Sequence, residues 1–289
     1  MGRVKARKGE TSGVRPARAG EGDAIRGLLA EVARDEQDQV QLAGSCQLLD
    51  NGVDTARFAE PFRILVFERR RTLLGAALIQ GGNLGTKPGD DLADLEAHQN
   101  LYAQQVGMQH KMFARINAVT AHLAFMAVSP ASRGQGIGRQ LARAAADIER
   151  QRGRRMLTGY VWDDELTRMY ERWGFIVSPP ERAGFFLREK VGNLYAPSAA
   201  VLSLTEGSRL IVLPLDPEVR AYDCGTDDQP FPAVVGVEGP FDPTHLDTPQ
   251  ELIEMKERIE TFAQQQMTFY GAERTRAMFD AFLGTQSRD

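Results

Sequence analysis

One glycine-rich segment limits what this chain can fold into more than any other feature. Residues 121–128 (AHLAFMAV) are almost entirely apolar, as in a strand buried at the centre of a sheet. The segment 133–138 (RGQGIG) follows, and apolar residues then recur at helical spacing until Gly153. The sequence therefore predicts a buried strand, a glycine turn and a helix in direct succession.

A turn of this kind suits an anionic ligand. Glycines let the backbone approach a ligand closely, and a helix N-terminus presents unpaired N–H groups with a partial positive charge. Both features favour a pyrophosphate, and Arg133 adds a fixed positive charge beside it. The spacing G-x-G-x-G after several strands fits neither a dinucleotide-binding turn nor a P-loop. A glycine joint that binds no ligand is the remaining alternative.

Two segments, in this order, resemble the GNAT superfamily of N-acetyltransferases. Arg133 to Gly138 is similar to the family's pyrophosphate loop, Gln/Arg-x-x-Gly-x-Gly/Ala, and follows a strand that ends in Val128-Ser129-Pro130. Residues 170–175 (YERWGF) resemble the family's Tyr-x-x-x-Gly-Phe segment. The resemblance covers roughly residues 13–190. It implies an α/β (α+β) fold in which helices flank a mixed, mostly antiparallel central sheet.

The resemblance also implies the ligands. Acetyl-CoA would be the acyl donor, a primary amine of a small molecule or peptide the acceptor, and no metal would be needed. The pantetheine arm would lie along the fourth strand, and a backbone N–H near Met126 would face the thioester oxygen. The cofactor-binding residues expected on this basis are Phe125, Met126, Ala127, Val128, Arg133, Gly134, Gln135, Gly136, Ile137, Gly138, Arg139, Asp163 and Tyr170.

Tyr170 is the residue that the resemblance assigns as the acid for the departing thiolate. An ordinary tyrosine pKa of about 10 keeps the hydroxyl protonated at pH 7. The alternative is a core tyrosine packed with Leu166 and Trp173. The family commonly has Asn where Asp163 stands, so a carboxylate would lie near the cofactor arm unless Asp163 only caps the following helix.

His122 is the candidate general base. Regular alternation along the strand would place it on the same face as Met126, and some members of the family carry a Glu base at this position. An ordinary histidine pKa of about 6.5 suits proton transfer near neutrality. The alternatives are an inert, hydrogen-bonded histidine, or water as the base.

Hydrophobic periodicity predicts the other elements of this domain. Other strands are expected at residues 13–19, 62–68, 72–80 and 155–161, with a tight arginine-rich turn at 69–71 and a short helix within 41–60. Residues 81–120 form an insertion that is expected to be helical. It would act as a lid over the acceptor, with Asp90, Asp91, Asp94 and Glu96 attracting an amine. Alternatively, these acidic residues lie at a solvated helix N-terminus, where negative charge is favourable.

The two ends of the chain lie outside the resemblance. Residues 1–12 are basic and are expected to form a disordered arm. Residues 191–289 are expected to form an accessory domain, with a hairpin made of 199–204 and 209–215 and a long helix beginning at Thr248. An apolar stripe on that helix would either form a homodimer contact or pack on its own body.

Composition argues against several classes of function. The formal net charge of -4 gives no general attraction to nucleic acid or to an anionic membrane. No apolar stretch approaches the roughly 20 residues that span a bilayer, and no signal-like segment begins the chain, so a cytoplasmic protein is expected. The two cysteines, Cys46 and Cys224, have no metal-ligand spacing.

Two functions remain open from the sequence. One is an N-acetyltransferase, which Tyr170 favours. The other is a catalytically weak or inactive protein that binds coenzyme A and serves regulation or interaction, which Asp163 and the missing Glu base favour.

Overall fold

A computed structural model describes residues 12–53, 62–82, 84, 112–191, 194–223 and 232–238. The chain divides into two compact units. The first comprises Met1–Asn83 with Thr120–Gly159, and the second comprises Leu84–Val119 with Tyr160–Asp289. The predicted arm, most of the predicted insertion and the helix predicted from Thr248 lie outside the described residues.

The helices and strands are numbered along the chain. The described helices are α1 (Gly22–Leu29), α2 (Glu36–Asp50), α3 (residues 112–118), α4 (Ile137–Gln151) and α5 (Asp164–Arg172). The described strands are β1 (Ser12–Pro16), β2 (Arg63–Arg69), β3 (Thr72–Gly81), β4 (Thr120–Val128), β5 (Met156–Val161), β6 (Ile176–Val177), β7 (Arg182–Val191), β8 (Leu194–Ser203), β9 (Arg209–Pro214), β10 (Arg220–Asp223) and β11 (Pro232–Val235). None of these helices is long and apolar enough to cross a membrane.

The first unit is built on a sheet with the strand order β1-β2-β3-β4-β5. The first four strands are antiparallel to their neighbours, whereas β5 is parallel to β4. A parallel neighbour needs a crossover connection, and α4 supplies it. A mixed, mostly antiparallel sheet with flanking helices confirms the predicted fold class.

Helices cover both faces of this sheet. On one face, α1 and α2 bury Ile25 and Leu42 against Leu78 and other apolar residues of the strands. The other face carries α4, because a Cβ added to Gly75 would lie 3.1 Å from side-chain atoms of both Ile137 and Leu141. Gly75 therefore allows α4 to approach the sheet closely, and this approach positions the turn before α4.

In the second unit, a hydrogen-bonded pair joins the two ends of the predicted insertion. The Asn117 side chain accepts from Leu84 N at 2.8 Å and donates to Leu84 O at 3.0 Å. Asn117 lies on α3, whose apolar residues Met112, Phe113 and Ile116 are buried. The helix expected in the insertion is therefore present at 112–118, whereas the acidic residues proposed to attract an amine lie outside the described residues.

The predicted hairpin of residues 199–204 and 209–215 is wrong. β8 pairs with β7 over its whole length, in a sheet ordered β10-β11-β7-β8, and β9 pairs with β6 instead. The connection 204–208 is held by Glu181, which donates its N–H to Ser208 O at 2.7 Å and accepts from Leu204 N at 2.8 Å. The expected domain boundary at 190 therefore falls within a pair of hydrogen-bonded strands.

Candidate active site

The turn between β4 and α4 is the first part of the site. A short 3₁₀ turn, Pro130–Ser132, leads into Gly134 and Gly136, whose φ angles are 76° and 75°. Residues with a Cβ rarely adopt such angles. A Cβ added to either glycine would meet no atom of a described residue within 4 Å, so the backbone angle, and not crowding, requires glycine here.

The start of α4 presents a row of available N–H groups. Those of residues 134–139 form no hydrogen bond with the described residues, and the first N–H to do so, on Gln140, donates to Gly136 O at 3.1 Å. Gly136 is the N-cap and has no side chain to cap them, and no acidic residue lies in the first turn of α4. Residues 133–136 are exposed. This helix end can therefore bind an anionic ligand through several donors.

Two arginines lie at this turn, and both form contacts there. The Arg133 guanidinium pairs with Glu31 at 2.9 Å, and the two side chains are 60% and 58% exposed. Arg69, at the end of β2, donates Nη1–H to Gln135 Oε1 at 2.8 Å. The positive charge predicted for Arg133 is thus partly balanced by Glu31. Sequence reasoning missed Arg69, because the arginine run that contains it was interpreted only as a turn.

Next to this turn, one side of the β4 backbone has no partner strand among the described residues. Its pairing with β5 ends at His122 and Thr158, and residues 123–128 pair only with β3 among the described strands. In a strand that is bonded on one side, alternate residues direct N–H and C=O groups to the other side. An extended ligand that contains amides can bind to such an edge as a further strand would.

A β-bulge interrupts β4 within this open segment. Leu78 lies opposite Phe125, and the next residue of β3, Ile79, lies opposite Leu123. Ala124 is therefore an extra residue on β4, whose backbone groups do not fit the ladder with β3.

The bulge also corrects the prediction that His122 and Met126 share a face. His122 lies opposite Gln80 and Met126 lies opposite Ala77. Gln80 and Ala77 are three residues apart on a regular strand, so they point to opposite faces of the sheet, and so do their partners. The prediction relied on regular alternation, and one inserted residue reverses it.

His122 is buried and neutral at pH 7. Only 5% of its surface is exposed, and Nδ1 lies 3.2 Å from the Thr158 hydroxyl, which donates to Ala121 O at 3.3 Å. Since Thr158 donates its own proton to Ala121 O, the Thr158 oxygen can accept a proton from Nδ1 of His122. Burial lowers the pKa of His122 from 6.5 to about 4. The imidazole is thus a weaker base than the sequence suggested.

In the second unit, Asp163 is the N-cap of α5. One oxygen of its carboxylate accepts from Glu165 N at 2.7 Å and from Leu166 N at 2.9 Å. These two bonds satisfy N–H groups at the start of the helix, where a negative charge is favourable. The capping role that the sequence left open for Asp163 is therefore present.

Tyr170 is buried near the end of α5, with 8% of its surface exposed. Its ring makes edge-on contacts with Trp173 and Phe175, at centroid distances of 5.3 and 5.0 Å. Burial raises the pKa of the Tyr170 hydroxyl from 10.0 to about 12, so the group stays protonated at neutral pH. The hydroxyl forms no hydrogen bond with the described residues. Tyr170 can therefore pack in the core and still carry a proton on its hydroxyl. Leu166, which was also expected to pack with Tyr170, is 45% exposed.

The predicted site residues therefore fall into two groups. Residues 125–128 and 133–139 form one continuous segment of the first unit, to which His122 also belongs. Asp163 and Tyr170 lie on one helix of the second unit. Among the described residues, no cluster of His, Cys, Asp and Glu side chains could hold a metal ion.

Comparison with known proteins identifies the segment that contains both motifs. Residues 96–177 match the family model of the acetyltransferase (GNAT) domain, which confirms the domain type predicted from the sequence. A search of curated proteins gives no match.

Several solved structures are similar to this chain, at low sequence identity. The ribosomal-protein-alanine N-acetyltransferase from Brucella melitensis is 17% identical, with a TM-score of 0.41, and the match covers 70% of this chain and 98% of the other. An N-acetyltransferase from Staphylococcus aureus is 13% identical, with a TM-score of 0.40 and coverages of 71% and 99%. A Bacillus subtilis acetyltransferase in complex with CoA is 13% identical, with a TM-score of 0.38 and coverages of 71% and 99%.

Proposed function

Because residues 96–177 carry a GNAT acetyltransferase domain, we propose that this protein is an acyl-CoA-dependent N-acyltransferase. The donor is acetyl-CoA, and the acceptor is a primary amine of a small molecule or peptide. The strongest support is the row of N–H groups at 134–139, which follows the open edge of β4 along the chain. The N–H groups suit a pyrophosphate, and the open edge of β4 suits an extended arm that contains amides. The pyrophosphate and this arm are neighbouring parts of coenzyme A.

Coenzyme A is held mainly by the backbone in this proposal. The amides of its pantetheine arm bind the open edge of β4 at residues 125–128. Its pyrophosphate accepts hydrogen bonds from the N–H groups of 134–139, with Arg133 and Arg139 adding positive charge. The positive φ angles of Gly134 and Gly136 support this arrangement, because they turn consecutive N–H groups outward with no side chain in front of them.

The reaction is a direct transfer. The nitrogen of the amine attacks the thioester carbon, a C–N bond forms, and the carbonyl oxygen becomes negatively charged. A backbone N–H near Met126 stabilises that oxygen, and the Ala124 bulge supports this role because it frees backbone groups from the ladder. The carbonyl then re-forms, the C–S bond breaks, and coenzyme A leaves as a thiolate.

We assign the protonation of that thiolate to Tyr170. A hydroxyl whose pKa is about 12 is fully protonated at pH 7, so it has a proton to donate when the C–S bond breaks. The tyrosinate formed is a stronger base than the thiolate would be, and it regains a proton from solvent. Tyr170 therefore ends each cycle unchanged.

Water is the base in this proposal, and His122 is not. A pKa of about 4 makes His122 a poor acceptor for the proton of an ammonium group, and its position opposite Gln80 puts it on the other face of the sheet from Met126. His122 instead stabilises the last pair of β4 and β5 through Thr158. The proton lost by the amine passes to solvent.

A second candidate function is coenzyme A binding without turnover. The low pKa of His122 favours it, because that residue was the base proposed from the sequence. Thiol release from acetyl-CoA would separate the two functions, measured with an aliphatic amine, a diamine, an aromatic amine and a peptide with a free N-terminus. The enzyme is expected to release thiol only with an amine, and mass spectrometry should find one acetylated product per thiol. Coenzyme A binding with no amine-dependent release across the panel would support the second function.

A further inference from the structure

The turn between β2 and β3 has a backbone conformation that its own side chains disfavour. Arg69 pairs with Thr72, so Arg70 and Arg71 are the two central residues of a tight hairpin. Their φ angles are 52° and 66°. Asn and Gly normally occupy such a turn, because Gly has no Cβ and Asn tolerates positive φ better than most residues. Both arginines are exposed. What they provide here, and what Asn and Gly would lack, is positive charge.

This hairpin turn is fixed beside the glycine turn that precedes α4. The Arg69 guanidinium donates to the Gln135 side chain at 2.8 Å and lies 5.6 Å from the centre of the Phe67 ring. The ladder between β3 and β4 reaches the same end of the sheet, where Ser129 N donates to Leu74 O at 2.8 Å. The arginines at the tip therefore border the N–H groups at the start of α4.

The charge of Arg71 is not balanced by Glu68, the acidic residue of the same hairpin. Glu68 is paired with Arg15, on β1. Arg71 forms no ion pair with a described residue, and the first turn of α4 carries Arg139 but no acidic residue. Arg71 and Arg139 therefore place positive charge around the turn that no described acidic residue pairs with.

We propose that the Arg70–Arg71 tip binds the 3′-phosphate of coenzyme A and selects this cofactor over its 3′-dephospho form. The inference rests on the proposed function, since it needs coenzyme A at the glycine turn. Coenzyme A carries a phosphate monoester on its ribose, close to the pyrophosphate. A guanidinium is well suited to phosphate oxygens, and an exposed turn can bind a group that remains in contact with water.

The test compares two ligands on variants that should fold well. In Arg70→Asn/Arg71→Gly, the residues that the turn prefers replace the two arginines, so the melting temperature should not fall. Calorimetry would measure the affinity for coenzyme A and for 3′-dephospho-coenzyme A at low salt. The unaltered protein should prefer coenzyme A by about tenfold, as expected for charged hydrogen bonds to one phosphate. The double variant should lose most of this preference by binding coenzyme A more weakly, with little change for the dephospho form.

Arg150→Gln is the matched control, because Arg150 is an exposed arginine at the opposite end of α4. It should keep the full preference. Equal binding of the two ligands to the unaltered protein would overturn the inference, as would a double variant that retains the preference. If neither ligand binds the unaltered protein, the proposed function itself is wrong. If both ligands bind equally well, the proposed function stands and only the proposed role of the tip is wrong.

Discussion

Gly136 and Gly27 show the difference between a position that requires glycine and one that does not. At either residue, an added Cβ would meet no atom within 4 Å in the part of the chain that the structure describes. Gly136, however, has a φ of 75°, whereas Gly27 lies within the regular helix α1. Gly136→Ala should therefore lower the free energy of unfolding by about 1–2 kcal/mol and weaken coenzyme A binding. Gly27→Ala should raise the free energy of unfolding by up to ~1 kcal/mol, because alanine favours helix.

Urea denaturation and calorimetry would measure both effects for these two variants. Equal changes in stability at the two positions would show that backbone conformation does not determine the glycine before α4.

Tyr170 can be tested against a partly buried tyrosine of the same unit, Tyr160. Burial raises the pKa of Tyr160, as it does that of Tyr170, to about 12. Tyr170→Phe keeps the ring that contacts Trp173 and Phe175 but removes the proton, so kcat should fall by about tenfold or more, with coenzyme A affinity unchanged. Tyr160→Phe should leave kcat nearly unchanged. Steady-state kinetics that show the same small loss in both variants would remove Tyr170 from the mechanism.

His122 should make the protein less stable in acid. Its pKa is depressed in the folded state to about 4, so its contribution is complete above the unfolded value of 6.5 and is lost as the pH falls from 6.5 towards 4. The full loss is roughly 3 kcal/mol, from 1.36 kcal/mol per pKa unit. His122→Gln should therefore lose less stability than the unaltered protein between pH 7 and pH 4.

Thr158→Val is the control for this prediction, because it removes the hydrogen bond of His122 but keeps the imidazole buried. This variant should retain the acid sensitivity, as measured by urea denaturation at a series of pH values. If His122→Gln is as acid-sensitive as the unaltered protein, burial does not depress the pKa of His122.

At the scale of helices and turns, the sequence correctly predicted features that depend only on residues close together in the chain. The glycine turn, the start of α4 at Ile137 and the cap of α5 at Asp163 depend on residues within one turn of each other, and all are present. The start of α2 was missed, although Asp35 caps it by accepting from Asp38 N at 2.8 Å. That signal is local too, but the first turn of α2 is polar and hydrophobic periodicity does not mark it.

Asp50 shows how two helices depend on one residue. It is the last residue of α2, yet its Oδ1 accepts from Gly20 N and Gly22 N, both at 2.9 Å, and so caps the start of α1. The N-cap residue of α1, Glu21, makes no capping bond of its own. Asp50→Ala should therefore lower the free energy of unfolding by about 1 kcal/mol. Asp50→Asn, which keeps an oxygen acceptor, should lose less; equal losses in urea denaturation would contradict the capping role.

At the scale of the whole molecule, the errors come from contacts between distant parts of the chain. β8 looked like a hairpin partner of β9 because only a short turn separates them, but it pairs with β7. The faces of β4 were misjudged because the bulge at Ala124 is defined by the register with β3. The catalytic and cofactor-binding roles of the site residues were implied by two motifs and remain proposals. A homodimer contact through the C-terminal stripe also stays a prediction, since it lies outside the described residues.

Binding of coenzyme A at the turn before α4 is the claim on which the proposed chemistry and the role of the arginine tip both depend. Titration calorimetry of the full chain with coenzyme A measures it directly, with the variant Gly134→Ala/Gly136→Ala beside it. One molecule should bind per chain, and binding should weaken in the variant, because the N–H groups of 134–139 lose their arrangement. No binding to the unaltered chain, or equal binding to both proteins, would contradict the claim.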